Sequence, residues 1–243
     1  MNQEQTLKAL KELRLKTMAE VAERLMHTGQ HLAMNSEEYL AILVDAELSA
    51  RKSKRFNLML KKANLRPEKA SLENLRYQEG RGFQKSDITP FMTKAWIEKG
   101  RNIVITGATG VGKTYLAEAL IFQGCKMGAK GKKLSLSLLL EEVRVARATG
   151  NYIKYLKNIS GVNVLALDDF LITKPSVQEA GELLSILEER VASCPTIITS
   201  QYPPNKWHER ISDPTIADAI CDRLIEGAYM MKLAGKSQRG IDG

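Results

Sequence analysis

From residue 101 onward the chain alternates between two patterns of apolar positions. Nearly unbroken apolar runs occupy 101–106, 162–167, 195–199 and 228–233, and residues 132–137 alternate apolar and polar side chains at period two. Between these runs, apolar residues recur every three or four positions at 115–122, 138–148, 152–159, 176–191 and 214–224. The first pattern predicts strands and the second helices. Pro175 stands just before one of the helical segments, where a helix start tolerates it. Strands that are apolar along their whole length fit a parallel sheet covered on both faces, so the expected fold class is α/β.

The first hundred residues read differently. Leu7, Leu10, Leu13, Val21 and Leu25 predict a helix over residues 4–29 with Gly29 as its cap. Asn35-Ser36-Glu37-Glu38 marks a second helix start with acid in its first turn. That helix is apolar around Tyr39–Leu43 and cationic from Arg51 through Lys62. The cationic half suits either docking on phosphates or a solvated face that complements the helix dipole. Gly80, Gly82 and Pro90 punctuate a linker and entry helix over 71–100, in which Trp96 is expected in the core and Tyr77 and Phe83 beside a bound ring. The division that results is a helical domain at 1–70 for partner or DNA binding, a linker and entry helix at 71–100, and the α/β domain at 101–243.

Composition narrows the class. The 243 residues hold no run of about 18 apolar positions and begin without a basic-then-apolar leader. Cys125, Cys194 and Cys221 are far apart and form no C-x-x-C pair, which points to reduced buried thiols and a cytoplasmic protein rather than a zinc site. The net charge is +8, and residues 1–86 carry 16 Lys/Arg against 11 Asp/Glu. Such a surplus favours anionic partners, nucleic acid above all.

The most specific chemistry lies between the first strand and the helix after it. Gly107, Ala108, Thr109, Gly110, Val111, Gly112, Lys113 and Thr114 form a complete G-x-x-x-x-G-K-[ST] phosphate loop, with Tyr115 next to it. The glycines let backbone N–H groups turn around a triphosphate. Lys113 supplies a charge to its oxygens, and the Thr114 hydroxyl can ligate Mg²⁺. The helix that follows turns its positive end to the same anion. This is a P-loop NTPase arrangement.

The strand 162–167 runs into Asp168 and Asp169, at the sheet edge where ligands collect. Asp168 is suited to holding Mg²⁺ and Asp169 to positioning the attacking water. The next strand ends Thr199-Ser200-Gln201, and a polar side chain there can orient that water. Arg223, near the end of a helix, can reach the nucleotide of a neighbouring subunit and neutralise charge during phosphoryl transfer, or else pair with Asp218 or Asp222 in its own chain. Guanine recognition is disfavoured. Asn205-Lys206-Trp207-His208 has His208 where Asn-Lys-x-Asp needs its acid, and Leu171 stands at the glycine of Asp-x-x-Gly.

These motifs occur in order with Thr196-Ile-Ile-Thr-Ser-Gln201, Trp207-His-Glu-Arg210, Asp213-Pro-Thr215, Ala217-Asp-Ala-Ile220, Asp222-Arg-Leu224 and Gly235-Lys-Ser-Gln-Arg239. The series resembles the IstB-like transposition helper ATPases of the AAA+ class, relatives of the DnaC helicase loaders, closely over residues 75–239. The resemblance implies an AAA+ ATPase domain with a minimal C-terminal lid. It implies an ATP- and Mg²⁺-dependent homo-oligomer on duplex DNA that recruits a transposase and steers target choice. It makes Gln201 the sensor, Arg223 the arginine finger and Arg239 a γ-phosphate contact. Lys130, Lys132, Lys133, Arg144, Arg147, Lys154 and Lys157 become candidates for a DNA-facing inner surface. Two positions depart from the family pattern: Leu171 stands where glycine is common, and Asp169 replaces the usual glutamate of the class. The shorter acid is expected to slow hydrolysis. A helicase loader and a P-loop kinase for a small substrate are the competing readings.

Overall fold

The computed structural model describes residues 2–65, 70–75, 77, 80–191 and 193–238. The chain divides into two compact units, Met1–Leu58 and Met59–Gly243.

In the first unit, α1 (Gln3–Glu12) and α2 (Lys16–His27) are separate helices, and α3 (Ser36–Lys62) begins in it. The single helix expected over 4–29 is broken because Arg14 takes a left-handed φ of 61°. The break is stabilised from a distance. Leu15, at the start of α2, has no capping side chain, and the buried Glu47 carboxylate accepts the Met18 N–H at 3.0 Å instead. Arg51 pairs with Glu47 and donates to the Arg14 carbonyl. These bonds, with Arg51 first, hold the Glu47 carboxyl below the usual range. The start of α3 is as expected: Asn35 and Glu38 cap each other reciprocally, at 2.8 and 3.0 Å. Ala22, Leu25 and Leu43 form the centre of this unit's core.

In the second unit, α4 (Lys85–Ile88), a 3₁₀ turn (Thr89–Met92) and α5 (Ala95–Glu98) lead into β1 (Ile103–Thr106). Then come α6 (Lys113–Lys126), β2 (Gly131–Ser135), α7 (Leu136–Ala148), α8 (Tyr152–Ser160), β3 (Val164–Asp168), α9 (Val177–Glu188), β4 (Thr196–Ser200), α10 (Pro214–Ile225) and β5 (Tyr229–Lys232). The strands form one parallel sheet in the order β2-β3-β4-β1-β5. Every residue of β1, β3 and β4 is buried, as strands covered on both faces must be. Val104, Leu165, Leu167 and Ile198 pack with apolar residues of α7, α9 and α10. The other face carries α6, whose Leu116, Ala117, Leu120 and Ile121 are fully buried. Trp96 is buried and meets Phe91 edge to face at 5.7 Å. Cys125 is buried, whereas Cys194 and Cys221 are only half-buried, and none forms a disulfide.

A buried cation joins the layers. Arg190, 2% exposed, donates to the Thr196 hydroxyl and to the carbonyls of Ile159, Ser160, Val162 and Pro195, all between 2.7 and 3.1 Å. It thereby gives the carbonyls at the end of α8 a charged donor and ties them to the start of β4. Burial pulls its guanidinium down to about 10, so it stays charged at neutral pH. Replacing Arg190 with leucine strands these acceptors. Urea titration is expected to show a loss of about 3 kcal/mol or more, and a loss below about 1 kcal/mol contradicts this role.

Candidate active site

The loop 107–112 leaves the end of β1 and closes at the N-terminus of α6. Gly107 and Gly110 have φ of 149° and 85°. A side chain at Gly107 would run into the Leu233 carbonyl, and one at Gly110 into Ser237. Both are therefore glycine for close approach as well as for backbone conformation. Hydrogen bonds hold the loop to its surroundings. Gly107 N–H donates to the Ser200 carbonyl (3.3 Å), Lys113 Nζ to Ala108 (2.8 Å), Gln238 N–H to Gly110 (2.8 Å) and Arg81 Nη2 to Val111 (3.0 Å). Lys113 is buried beneath the loop. The Tyr115 hydroxyl accepts from the Ser71 N–H at 3.5 Å, which brings the preceding segment against the start of α6. Phe83 is buried and carries Tyr77 at 5.7 Å, edge to face.

Because β4 lies between β1 and β3, its end separates the phosphate loop from the acidic pair. The buried Asp168 accepts two hydroxyls on one oxygen, from Thr114 Oγ1 at 3.0 Å and from Thr199 Oγ1. The Thr199 hydroxyl also accepts the Asp169 N–H at 3.2 Å. Asp169 and Gln201 are exposed at the same edge.

The acidic turn is strained and clamped. Asp169 and Leu171 have φ of 55° and 57°, a conformation that costs about 1–2 kcal/mol for a residue with a Cβ. Phe170 N–H donates to Thr199 O at 2.8 Å, and Ser200 Oγ to Phe170 O at 3.0 Å. Arg210 donates to the carbonyls of Leu171 and Ile172, both at 2.6 Å. The buried Trp207 meets Phe170 at 4.9 Å and donates to Tyr202 O and Ser200 Oγ. Glycine would take the Leu171 conformation without strain.

Arg223 lies at the far end of the sheet. Asn102, just before β1, donates to the Arg223 carbonyl at 2.7 Å and accepts the Thr196 N–H at the start of β4. Arg223 pairs with Glu188 at 2.8 Å and donates to Ala219 O, so its carboxylate partner is Glu188 rather than Asp218 or Asp222. Both line a cleft of about 760 Å³ with Arg101, Asp222 and Glu226. Arg239 lies outside the described residues. Of the basic candidates, Lys132 pairs with Glu142, Lys133 with Glu118, Arg144 with Glu141 and Arg147 with Glu182. Lys130, Lys154 and Lys157 are exposed.

The family model for IstB-like ATP-binding proteins matches residues 8–241. The chain belongs to this family. A Sinorhizobium fredii protein assigned to ATP binding in an insertion sequence is 35% identical over 236 residues, covering 97% of this chain and 95% of that protein. A Pseudomonas fluorescens protein assigned to ATP binding in insertion sequence IS1162 is 35% identical over 198 residues, 82% of this chain and 86% of its own length. Among solved structures, DnaI matches with a TM-score of 0.59 at 23% identity, over 68% of this chain and 91% of that one. The DnaC helicase loader matches with a TM-score of 0.55 at 23% identity, over 68% and 96%. At that identity they establish a shared fold alone. No described helix is long and apolar enough to cross a membrane.

Around the phosphate loop and the acidic turn, the geometry adds residues that the motifs did not disclose. Arg81 holds the loop from outside; Trp207 and Arg210 hold the acidic turn. Within the sequence, the one signal was the Trp-His-Glu-Arg tetrad, whose contacts with the acidic turn are 37 to 39 positions away. Arg210→Met is expected to release the turn. By hydrogen-exchange mass spectrometry, the Phe170 and Ile172 amides should exchange about tenfold faster with α6 unchanged; equal rates contradict the clamp.

Proposed function

We propose that the chain is a cytoplasmic, Mg²⁺-dependent ATPase that assembles on duplex DNA as the helper of a transposase, influencing its activity and target choice. The relatives at 35% identity come from insertion sequences, which favours a transposase over a helicase as the partner. The observation that carries the reading is the separation of two half-sites. Lys113, Thr114, Asp168 and Asp169 lie where β1 and β3 end, while the Arg223 backbone is held by Asn102, just before β1 begins, at the opposite end of the strand that leads into the phosphate loop. A catalytic arginine so placed serves a neighbouring copy.

The residues fit the roles. The Thr114 hydroxyl and Asp168 carboxylate, 3.0 Å apart, are hard oxygen donors of the kind that hold Mg²⁺. The ion would neutralise phosphate charge. Thr199 fixes the carboxylate by its hydroxyl and, by accepting the Asp169 N–H, sets the second acid beside it. Asp169 and Gln201, exposed at this edge, orient the attacking water. On a neighbour, Arg223 leaves Glu188 to meet the charge that develops on the transferred phosphoryl group. The helical domain (1–70) contacts the partner or DNA. In the ATPase domain, Lys130, Lys154 and Lys157 are the stronger candidates for phosphate contact, because Lys132, Lys133, Arg144 and Arg147 are already neutralised within the chain.

Lys113→Ala is expected to abolish ATP binding. Arg223→Ala should keep it but lower hydrolysis about 10³-fold on DNA. Mixing the two variants joins an intact phosphate loop to an intact arginine and should restore part of the turnover. Full hydrolysis by Arg223→Ala alone, or no recovery on mixing, refutes the shared site.

A further inference from the structure

Two consecutive peptide units of the phosphate loop are held from outside by their carbonyls. Gln238 N–H donates to Gly110 O at 2.8 Å, and Arg81 Nη2 donates to Val111 O at 3.0 Å. In a trans peptide the C=O and the following N–H point in opposite directions. Fixing the Gly110 and Val111 carbonyls outward therefore aims the Val111 and Gly112 N–H groups away from these partners, into the loop. Those N–H groups are the ones that a phosphate requires.

Arg81 is itself anchored. Its carbonyl accepts the Ala234 N–H at 2.9 Å, just beyond β5, and Leu233 N–H donates to the Thr106 carbonyl at 2.7 Å, where β1 enters the loop. The side chain is buried, with its guanidinium 5.2 Å from the centre of the Phe83 ring. Arg81, the strand end and the loop thus form one hydrogen-bonded assembly. A side chain that lies 26 residues before the loop and outside its motif has a defined place on it.

We propose that Arg81 is a positioning residue of the nucleotide site, orienting the Val111–Gly112 peptide so that its N–H is pre-aimed at the phosphates. Preorganised donors bind an anion without first being turned, so their loss appears as weaker affinity. The proposal rests on ATP binding by the family and not on the DNA-assembly reading, and its test contains no DNA and no hydrolysis.

The test compares the full-length protein with Arg81→Met and Arg81→Lys. The first readout is hydrogen exchange of the 108–113 segment with ADP at saturation, when its N–H groups are bonded to the phosphates. The second is affinity for a fluorescent ADP and for inorganic pyrophosphate competing with it; pyrophosphate occupies the cradle without a base. The methionine variant is expected to exchange about tenfold faster in the loop and to bind both probes about tenfold more weakly. Lysine, with one donor geometry in place of a fork, should recover most of both. Unchanged exchange in a folded methionine variant overturns the proposal, as does faster exchange with unchanged affinities. Weaker ADP binding with pyrophosphate unaffected also overturns it, because Arg81 then serves the nucleoside side. If the methionine variant does not fold, Arg81→Lys against wild type carries the test: a shift of about threefold on both scales supports the proposal and none overturns it.

Discussion

One carboxylate oxygen of Asp168 joins three pieces of chain that are distant in sequence. It takes a hydrogen bond from Thr114, at the start of the helix behind the phosphate loop, and another from Thr199, near the end of β4. The same threonine holds the Asp169 N–H. Loop helix, acidic strand and intervening strand are thereby fixed to one another at a buried point, where an unpaired carboxylate would be unfavourable. The sheet order makes this possible, because β4 lies between β1 and β3 and places a hydroxyl between the two halves of the site.

The strain that follows is confined to residues 169–171. Asp169 and Leu171 both take left-handed conformations, and the surroundings hold them there. Phe170 anchors between β4 and Trp207, and Arg210 takes the carbonyls beyond it. A turn so held keeps Asp169 exposed and directed while its neighbours stay buried. Clamping of this kind explains how leucine is tolerated where glycine would sit without strain.

The alternation of apolar runs after residue 101 was enough to place all five strands and the five longer helices of the α/β unit, because burial on both faces leaves a plain mark on each strand. The places of the phosphate loop and the acidic strand end in the fold were equally legible, since each is one continuous stretch of sequence. Other features depend on partners that are remote in sequence. Nothing near Arg14 signals a helix break: it is neither glycine nor proline, and Glu47, which caps the helix beyond, is 33 positions away. Charge alone did not reveal that Lys132, Lys133, Arg144 and Arg147 have acids of their own. Glu188 was missed as the partner of Arg223 for the same reason, being 35 residues from it.

In the proposed function the catalytic apparatus is divided between copies, with loop and acids from one and arginine from the next. Electron microscopy of the protein on duplex DNA, with ATP, with ADP and without nucleotide, tests this most directly. The account predicts ordered assemblies with ATP, in which Arg223 of one copy has left Glu188 and faces the phosphate loop of its neighbour. Dispersed monomers under all three conditions, or an assembly in which Arg223 stays on Glu188 and faces away from every loop, would contradict it.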